Sequence, residues 1–418
     1  MSASTLFKLG GIPPLPLDAA DALGVPRSEL ALKIAFVSRY PPVHCGVGEY
    51  TRMLASGLRT VLPSASIRVY STGEAGWERY YDEPLGVEII PSYMRRDPSY
   101  EGLIKNLEDD GGADVVHLQH EYGIYGDGPR IVDALLETLK RGLASAVVAT
   151  FHTVVHKQST ASQERLETQR RASRLHAIIT HSILMEFELQ AQGVDPSVIV
   201  KIPHGTLVNP YLGYPRHRLA EKLGVEVEDS ELLLVTPGFL RPDKGLDILA
   251  SAAALVGDSR LRIVVAGEPM GVAPEEIPSM GGRIKVIEKY LSTDEILMLA
   301  AMSDAIVLPY KDRPGKYSVS GVLHLSMGSL KPVLGTRVPR LVELYEYSPM
   351  LTVPPRSPEL LARRMEWLSR NYEIAASASA QLYSYAAATQ WPMVASQHIA
   401  LYRGVMEGKP PAYYNYWR

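Results

Sequence analysis

The stretch that decides the fold is KIAFVSRYPPVHCGVGEYT, residues 33–51. It opens with a short apolar run, Lys33 to Ser38, whose partly β-branched side chains are typical of a buried parallel strand. A loop with Gly46 and Gly48 follows, and residues 49–62 have the pattern of a helix. A strand, a glycine-containing loop and a helix in this order predict the opening of an α/β unit.

The same alternation continues to about residue 202, and it restarts at residue 232 after a weakly patterned stretch. We therefore predict an α/β protein with two Rossmann-like doubly wound domains, each built on a parallel sheet with right-handed crossovers. The chain is predicted to have four parts. They are an N-terminal extension (residues 1–31), an N-terminal domain (32–208), a C-terminal domain (209–390), and a C-terminal helix and tail (391–418).

Composition excludes several classes of protein. The chain has 418 residues, of which 46% are hydrophobic and 21% charged, and its formal net charge is -3. This balance gives no reason to expect a nucleic-acid partner. The single cysteine, Cys45, excludes an intrachain disulfide. Neither a signal peptide nor a transmembrane segment is evident, so we expect a cytoplasmic location, with a peripheral membrane contact left open and the oligomeric state undetermined.

Three histidines of the first half follow predicted strands. His120, His152 and His204 each stand where a strand ends, and the carboxyl ends of parallel strands meet at one edge of a sheet. A single histidine is more often structural, but three at one edge suggest substrate binding. The HExxH pairing and cysteine ligands of zinc sites are missing, so no metal is predicted. Gly46 and Gly48 would let backbone approach a ligand, although they also suit a tight turn.

The second half carries a predicted anion site. Lys244 follows the strand at residues 232–236 and precedes a helix, where a cation and backbone N–H groups can hold phosphate. The ordinary structural interpretation is a solvated lysine. A second anion-binding element is predicted at Ser318, Ser320 and Gly321, before another helix, and Glu268 follows a further strand.

Taken in order and spacing, these motifs resemble the retaining GT-B glycosyltransferases of the GT4 type, the glycosyl transferase group 1 family. The resemblance covers about residues 32–405, and it rests on residues 42–51, 151–153, 203–205, 238–245, 266–268, 303–305 and 331–333. It implies two Rossmann-like domains that face each other across a cleft, with the donor bound mainly to the second domain and a last helix that returns to the first.

The resemblance also implies roles for individual residues. Gly46 and Gly48 would line the cleft. Gly238, His120 and His204 are predicted as further binding residues from their places after strands. His152 would lie near the transferred sugar as a catalytic residue. Lys244 would hold the diphosphate, together with backbone N–H groups of Ser320 and Gly321. Lys289 and Tyr290 fall where the family contacts the nucleobase. The family arginine is replaced by Phe239, and Arg241 is expected to substitute for it.

We accordingly predict a metal-independent hexosyltransferase that retains configuration. It would move mannose or glucose from a UDP- or GDP-linked donor to a sugar, lipid-linked or small-molecule acceptor. The nucleotide sugar is a co-substrate, and no cofactor is expected. The family's paired glutamates fall on Tyr317 and Leu325, with Glu268 and Glu343 as candidate replacements. The alternatives are a non-catalytic nucleotide- or glycan-binding homologue, a phosphorylase and a sugar-nucleotide epimerase.

Overall fold

The computed structural model describes residues 32–158 and 163–411. The predicted N-terminal extension lies outside these residues, and so do the aromatic residues of the predicted tail beyond residue 411. The described residues form two α/β units, each with its own mainly parallel sheet, as the sequence pattern predicts. No helix in these two ranges is long and apolar enough to cross a membrane.

The first unit is built on one large sheet. Its strands are β1 (Lys33–Val37), β2 (Ser66–Thr72), β3 (Tyr80–Asp82), β4 (Val87–Tyr93), β5 (Ala113–His120), β6 (Ala144–Phe151), β7 (Val154–Val155), β8 (Ala177–Thr180) and β9 (Ile199–Lys201). The sheet has 8 strands in the order β3-β4-β2-β1-β5-β6-β8-β9, and β7 stands apart from it. Only the β3–β4 pair in this sheet is antiparallel. Because β1 pairs with both β2 and β5, the strand order reverses at β1.

Helices cover both faces of this sheet. They are α1 (Gly46–Val61), α2 (Glu101–Asp109), α3 (Tyr122–Tyr125), α4 (Arg130–Lys140), α5 (Gln163–Arg171) and α6 (Ile183–Ala191). Alternate residues of a strand point to opposite faces. Ile34 and Phe36 of β1 therefore pack into one buried cluster with Leu54 of α1, whereas Ala35 and Val37 pack into a second cluster on the other face.

The second unit repeats the plan with a smaller sheet. Its strands are β10 (Leu232–Pro237), β11 (Leu261–Gly267), β12 (Ile284–Glu288), β13 (Ala305–Leu308), β14 (Lys316–Tyr317), β15 (Val333–Thr336) and β16 (Thr352–Val353). The sheet has 6 strands in the order β12-β11-β10-β13-β15-β16. All its pairs are parallel, and the strand order reverses at β10. The helices are α7 (Arg216–Leu223), α8 (Leu246–Leu255), α9 (Thr293–Met302), α10 (Gly321–Ser326), α11 (Val342–Tyr347), α12 (Pro358–Arg370), α13 (Tyr372–Ala378) and α14 (Ala380–Ala388).

The last described helix, α15 (Trp391–Met406), returns to the first unit. A Cβ atom at Gly57 of α1 would come within 2.6 Å of the carbonyl oxygen of Trp391, so the two helices approach each other closely. Further along α15, the Tyr402 hydroxyl lies 2.6 Å from Nδ1 of His117 in β5. Helix α15 thus completes the core of the first unit.

A two-stranded ribbon also joins the units. β7 of the first unit pairs with β14 of the second in antiparallel register, with Val154 opposite Tyr317. The backbone N–H of His156 donates to the carbonyl of Gly315 at 2.8 Å and extends this pairing. The ribbon starts directly after His152 and ends before Ser318, so it fixes the distance between the two strand edges where ligands are expected.

Candidate functional site

The two points of strand reversal face each other across the cleft between the units. In open parallel sheets, ligands bind outside the carboxyl ends of the strands at such points. On the first unit this edge carries the loop between β1 and α1, and on the second it carries the loop between β10 and α8. These are the loops in which the sequence places Gly46 and Gly48, and Gly238, Arg241 and Lys244.

One set of contacts crosses the cleft from the loop after β1. The Nδ1 atom of His44 lies 3.0 Å from each carboxylate oxygen of Glu268, which follows β11. The ring of His44 also stacks on that of Tyr290, and the Tyr290 hydroxyl donates to Glu49 of α1 at 2.9 Å. Two of the predicted donor-binding residues, Glu268 and Tyr290, therefore lie side by side. Lys289 does not join them, because its ammonium pairs with Glu295 at the surface.

Lys244 is buried at the edge of the second sheet, and not solvated as a surface lysine would be. Its Nζ donates to the hydroxyl of Tyr310 at 2.5 Å, and that hydroxyl lies 3.1 Å from Oγ of Ser320. Burial lowers the pKa of the Lys244 ammonium well below its usual value, and the neighbouring guanidinium groups of Arg340 and Arg241 lower it further. Lys244, Tyr310 and Ser320 thus form a connected polar group.

Three arginines surround one carboxylate beside this group. Asp243 accepts from Arg241 at 2.9 Å and from Arg340 at 2.6 Å, and Arg313 lies 3.6 Å away. Burial acts to raise the pKa of Asp243, but Arg340 and Arg241 outweigh it, so that this pKa lies below its usual value. With Lys244, four basic side chains share one acidic partner, which leaves an excess of positive charge.

Arg340 is the functional candidate that sequence reasoning missed. It lies in the loop that follows β15, a position where the strand-end rule could have found it. Its Nη1 binds Asp243, its guanidinium carbon lies 5.6 Å from the centre of the Tyr310 ring, and its buried Nε has no hydrogen-bond partner within residues 32–158 and 163–411. An unpartnered buried donor beside two other cations is suited to an anion.

The loops around Lys244 keep side chains away from it. Gly238 has φ of 105°, a conformation that favours glycine, and a Cβ atom there would lie 2.9 Å from Val322 and 4.0 Å from Nζ of Lys244. Ser320 caps α10, because its Oγ accepts from the backbone N–H of Leu323 at 3.3 Å. Gly321 follows it, and Ser318 lies partly buried between β14 and α10.

Gly46 and Gly48 begin the first helix and differ in their surroundings. A Cβ atom at Gly48 would lie 3.2 Å from the carbonyl oxygen of Arg39, so this glycine allows close packing of helix against loop. A Cβ atom at Gly46 would meet nothing within 4 Å, so the first turn of α1 is open there. Of the two, Gly46 fits a ligand-facing position better.

His152 and His204 lie on the same tyrosine. Their ring centroids are 4.8 Å and 5.0 Å from that of Tyr50, which is buried under the cleft. Nε2 of His152 lies 2.9 Å from Oε1 of Gln119, a partner that sequence reasoning did not identify. Burial, followed by His181 and His120, lowers the pKa of His152 well below its usual value, so its ring is neutral near pH 7. Among the described residues, no group of three or more His, Cys, Asp or Glu is arranged to hold a metal.

His120 is not brought to the cleft, contrary to the sequence-based expectation. Its ring is fully buried, with its centroid 4.4 Å from that of Phe151 and 4.8 Å from that of Tyr122. Burial lowers its pKa to about 3, and neither ring nitrogen has a hydrogen-bond partner among the described residues. The side chain of His120 faces the aromatic core of the first unit because it alternates with Gln119 along β5.

The positions of the family's paired glutamates are occupied by other elements. Tyr317 belongs to β14 in the ribbon between the units, and Leu325 is buried in the core of the second unit. Of the candidate replacements, Glu268 lies at the cleft on His44. Glu343 lies behind α10, where its Oε1 is 3.7 Å from Nε2 of His324. Neither carboxylate touches the Lys244 group.

The second unit resembles a known protein family. Residues 231–371, which include β10 to β16 and the cationic loops, match the family described as glycosyl transferases group 1. No curated protein sequence matches this chain significantly.

Solved structures of similar fold cover most of the chain. HepE of Anabaena in complex with UDP and glucose is 16% identical, covers 88% of this chain and 98% of its own, and has a TM-score of 0.68. A glycosyltransferase from Rickettsia africae is 12% identical, covers 90% of this chain and 100% of its own, and has a TM-score of 0.69. The catalytic domain of starch synthase IV from Arabidopsis thaliana, bound to ADP and acarbose, is 14% identical, covers 90% and 100%, and has a TM-score of 0.62.

These likenesses agree with the layout of the two sheets and with the contacts across the cleft. The solved structures confirm the predicted fold class, two Rossmann-like domains that face each other across a cleft. The family match of residues 231–371 supports the prediction of a transferase enzyme. Residues 231–371 are thus similar to the glycosyl transferases group 1 family, in a chain that has the GT-B fold.

Proposed function

We propose that this chain is a retaining hexosyltransferase of the GT4 type, which moves glucose or mannose from a UDP- or GDP-linked donor to a hydroxyl group of a sugar, lipid-linked or small-molecule acceptor. The observation that carries the proposal is the cationic group at the second sheet edge. Arg241 and Arg340 bind Asp243, and the neighbouring Lys244 is linked to Ser320 through the hydroxyl of Tyr310. The diphosphate of a nucleotide would supply the negative charge that balances this excess of positive charge.

The buried lysine explains how the diphosphate would bind. Burial and the neighbouring arginines disfavour the protonated form of Lys244. A bound anion would favour that form, because it places an opposite charge beside the ammonium. Charge-assisted hydrogen bonds of this kind contribute about 1.5–3 kcal/mol each. Because the same groups face the leaving diphosphate during transfer, they would stabilise the charge that develops on it, without a metal ion.

The proposed transfer exchanges one bond to the anomeric carbon for another. The acceptor hydroxyl oxygen forms a bond to that carbon, on the face from which the diphosphate oxygen departs, and its proton passes to the departing diphosphate. His152 is neutral, and its Nε2 is held by Gln119. A positioning role beside the sugar therefore fits it better than the role of a charged acid.

The nucleotide base would lie near Tyr290, whose ring is half-buried at the cleft. HepE binds UDP and glucose, and starch synthase IV binds ADP and acarbose. These relatives support a nucleotide donor for this chain, and UDP is the first one to test.

A non-catalytic nucleotide-binding protein is the second candidate. It is favoured by one observation, the replacement of both family carboxylates by Tyr317 and Leu325. Such a protein would bind nucleotide through the same cationic group but would release no nucleotide diphosphate from the donor.

The experiment is calorimetric titration with UDP, GDP, ADP and inorganic phosphate, followed by a donor-hydrolysis and transfer assay. We expect micromolar binding of one nucleotide that weakens at least tenfold in Lys244→Met, which keeps most of the side-chain volume. Lys285→Ala, an exposed lysine of β12, is the matched control and should bind as the wild type does. Binding without turnover would favour the second candidate, and binding of phosphate alone would contradict both in favour of a phosphorylase. Release of free nucleotide with an isomerised sugar, without an acceptor, would identify an epimerase.

A further inference from the structure

A chain of hydrogen bonds connects His152 to the last helix through the core of the first unit. Nε2 of His152 lies 2.9 Å from Oε1 of Gln119, and Nε2 of Gln119 lies 3.2 Å from Nε2 of His117. Nδ1 of His117 lies 2.6 Å from the hydroxyl of Tyr402 in α15. His117, Gln119 and Tyr402 are all fully buried. These four residues are the hydrogen-bond chain of His152.

The sheet and the last helix together place the members of this chain. His117 and Gln119 are alternate residues of β5, so their side chains project from the same face of the sheet. In β6, Thr150 stands opposite Gln119, and its Oγ1 lies 2.8 Å from Nε2 of His117. His152 follows β6 directly. Because Tyr402 comes from α15, the return of the last helix to the first unit completes the chain.

The orientation of the Gln119 amide gives the chain a direction. Its Oε1 can only accept, so the proton between Gln119 and His152 belongs to Nε2 of the histidine. Its Nε2 can only donate, so Nε2 of His117 is an acceptor, to which Thr150 donates as well. The proton of a neutral His117 ring is then on Nδ1, which donates to Tyr402.

Both histidine rings of the chain are neutral, as this direction requires. Burial, followed by His398 and His152, lowers the pKa of His117 well below its usual value. Burial likewise lowers the pKa of His152. A neutral imidazole has one N–H group and one bare nitrogen. A proton on Nε2 of His152 therefore leaves Nδ1 of this ring as an acceptor.

Nδ1 of His152 is the open end of the chain. It has no hydrogen-bond partner within the two described ranges, and it is not enclosed by protein as both ring nitrogens of His120 are. His152 is partly exposed at the carboxyl end of β6, the edge of the sheet at which ligands bind. A hydroxyl group of a bound sugar is a donor that suits this acceptor.

Helix α15 also supports the ring of His152 by packing. The ring of Trp391, at the start of the helix, lies 5.0 Å from that of Tyr50, and Tyr50 lies 4.8 Å from His152, with both pairs edge to face. Tyr402, about three turns further along the helix, supplies the hydrogen-bonded end of the chain. The same helix therefore holds the ring in place and sets the position of its proton.

We propose that Tyr402 and His117 are positioning residues for the transfer, because they act through Gln119 to hold His152 with its proton on Nε2 and its lone pair on Nδ1, ready to accept from a hydroxyl group of the sugar. This inference rests on the proposed function, since it assigns the bare nitrogen of His152 to a sugar substrate. The direction of the chain is a property of the free protein, and it can be measured without any substrate.

The test is NMR of protein labelled with ¹⁵N-histidine, in which the two nitrogen shifts of a neutral ring show which nitrogen carries the proton. The signals of the two rings are identified by their loss in His152→Ala and His117→Gln. Tyr402→Phe removes one end of the chain, and Gln119→Met removes its middle and keeps most of the side-chain volume. The matched control is Tyr70→Phe, which removes a buried tyrosine hydroxyl that donates to Asp110 at 3.0 Å, outside the chain.

We expect Nε2–H for His152 and Nδ1–H for His117 in the wild type and in the control. In Tyr402→Phe the Nδ1–H group of His117 has no acceptor, so His117 should move its proton to Nε2. The Gln119 amide should then turn over, and His152 should carry its proton on Nδ1. Gln119→Met should leave His117 unchanged and give His152 no single form, and adding Tyr402→Phe to it should have no further effect on His152.

The kinetic measurement is the release of nucleotide diphosphate from UDP-glucose and from GDP-mannose by the same proteins. In Tyr402→Phe, kcat should fall by about two- to thirteenfold, the factor that corresponds to one neutral hydrogen bond, with little change in KM for the donor. Tyr70→Phe should have the wild-type kcat.

The proposal is overturned if His152 carries its proton on Nδ1 in the wild type, or if its form is the same in Tyr402→Phe as in the control. It is also overturned if kcat of Tyr402→Phe equals that of the control. If Tyr402→Phe does not fold, the same comparisons are made with Gln119→Met. A wild type that releases no nucleotide diphosphate would contradict the proposed function, and the ring protons alone would then confirm or contradict the direction of the chain.

Discussion

The ring of His44 lies flat on the ring of Tyr290, with the centroids 3.8 Å apart and the planes 4° from parallel. His44 belongs to the first unit and Tyr290 to the second, so this stack holds the cleft closed at the edge near β1. It also covers the tyrosine face on which a nucleobase would stack. In the proposed function, a nucleobase at Tyr290 would compete with His44 for this face of the ring.

Replacing His44 by alanine is expected to open the cleft. Aromatic pairs contribute about 0.5–1.5 kcal/mol beyond their buried area, and the partly exposed contact with Glu268 adds about 0–1 kcal/mol. The population of open molecules should therefore rise by about two- to sixtyfold. Small-angle X-ray scattering of the free protein would show this as a larger radius of gyration. His217→Ala, at an exposed position of the second unit, is the control. Identical scattering of His44→Ala and wild type would show that the stack does not hold the closed form.

Arg340 is expected to bind the diphosphate and not the nucleoside. Its Nη1 already neutralises part of Asp243, while its buried Nε has no hydrogen-bond partner in the part of the chain that the structure describes. Arg340→Ala should lower the affinity for UDP by at least tenfold and the affinity for UMP by less, because UMP lacks the second phosphate. Calorimetry with both nucleotides gives the ratio. Arg363→Ala, an exposed arginine of α12, should leave both affinities unchanged. An equal loss for UDP and UMP would assign Arg340 a structural role in holding Asp243.

Local pattern predicts most of the two sheets. The apolar run that begins at Lys33 is strand β1, and the strand predicted at residues 232–236 is β10, because apolar runs are local properties of the sequence. The antiparallel ribbon of β7 and β14 was not predicted. Each of its strands has two residues, and the pairing depends on how the two units meet. His120 was placed wrongly for a similar reason, since the face of β5 to which a residue points decides its environment.

The arginines show the same limit at the site. Lys244 and Arg241 follow a strand within a few residues of a glycine, and this local pattern is enough to predict them as binding residues. Arg340 is 97 residues from Asp243 in the chain, and only the folded sheet brings the two together. The partner of His152, Gln119, is likewise supplied by the neighbouring strand. Contacts between residues so far apart in the chain cannot be predicted from the pattern of a short stretch of sequence.

His152 is expected to affect turnover more than donor binding. His152→Ala should lower kcat by at least tenfold while KM for the donor changes little, because the ring lies by Gln119 and not by the cationic group. The pKa of His152 lies well below its usual value, so its NMR ring signals should not titrate between pH 5.5 and 8. Gln119→Ala should reproduce part of the loss in kcat. An equal loss in kcat and donor affinity would contradict this prediction, because it would show that His152 contributes to ground-state binding of the donor as much as to the transfer step.

Glu343 is expected to make the protein less stable as pH rises. Its pKa is raised from 4.5 to about 8 in the folded state, with burial as the main cause. Between these values the folded chain holds a proton that the unfolded chain has released. The stability from this proton is fully present below about pH 4.5, and it is lost as pH rises through about 8, at no more than about 1.4 kcal/mol per pH unit.

Glu343→Gln removes this titration and keeps the shape of the side chain. The free energy of unfolding of the variant, measured by denaturant titration at pH 6 and pH 8.5, should therefore fall less between the two pH values than that of the wild type. Glu359→Gln, at an exposed position of α12, should follow the wild-type dependence. If Glu343→Gln loses as much stability as the wild type does over this range, Glu343 is ionised in the folded protein at pH 6.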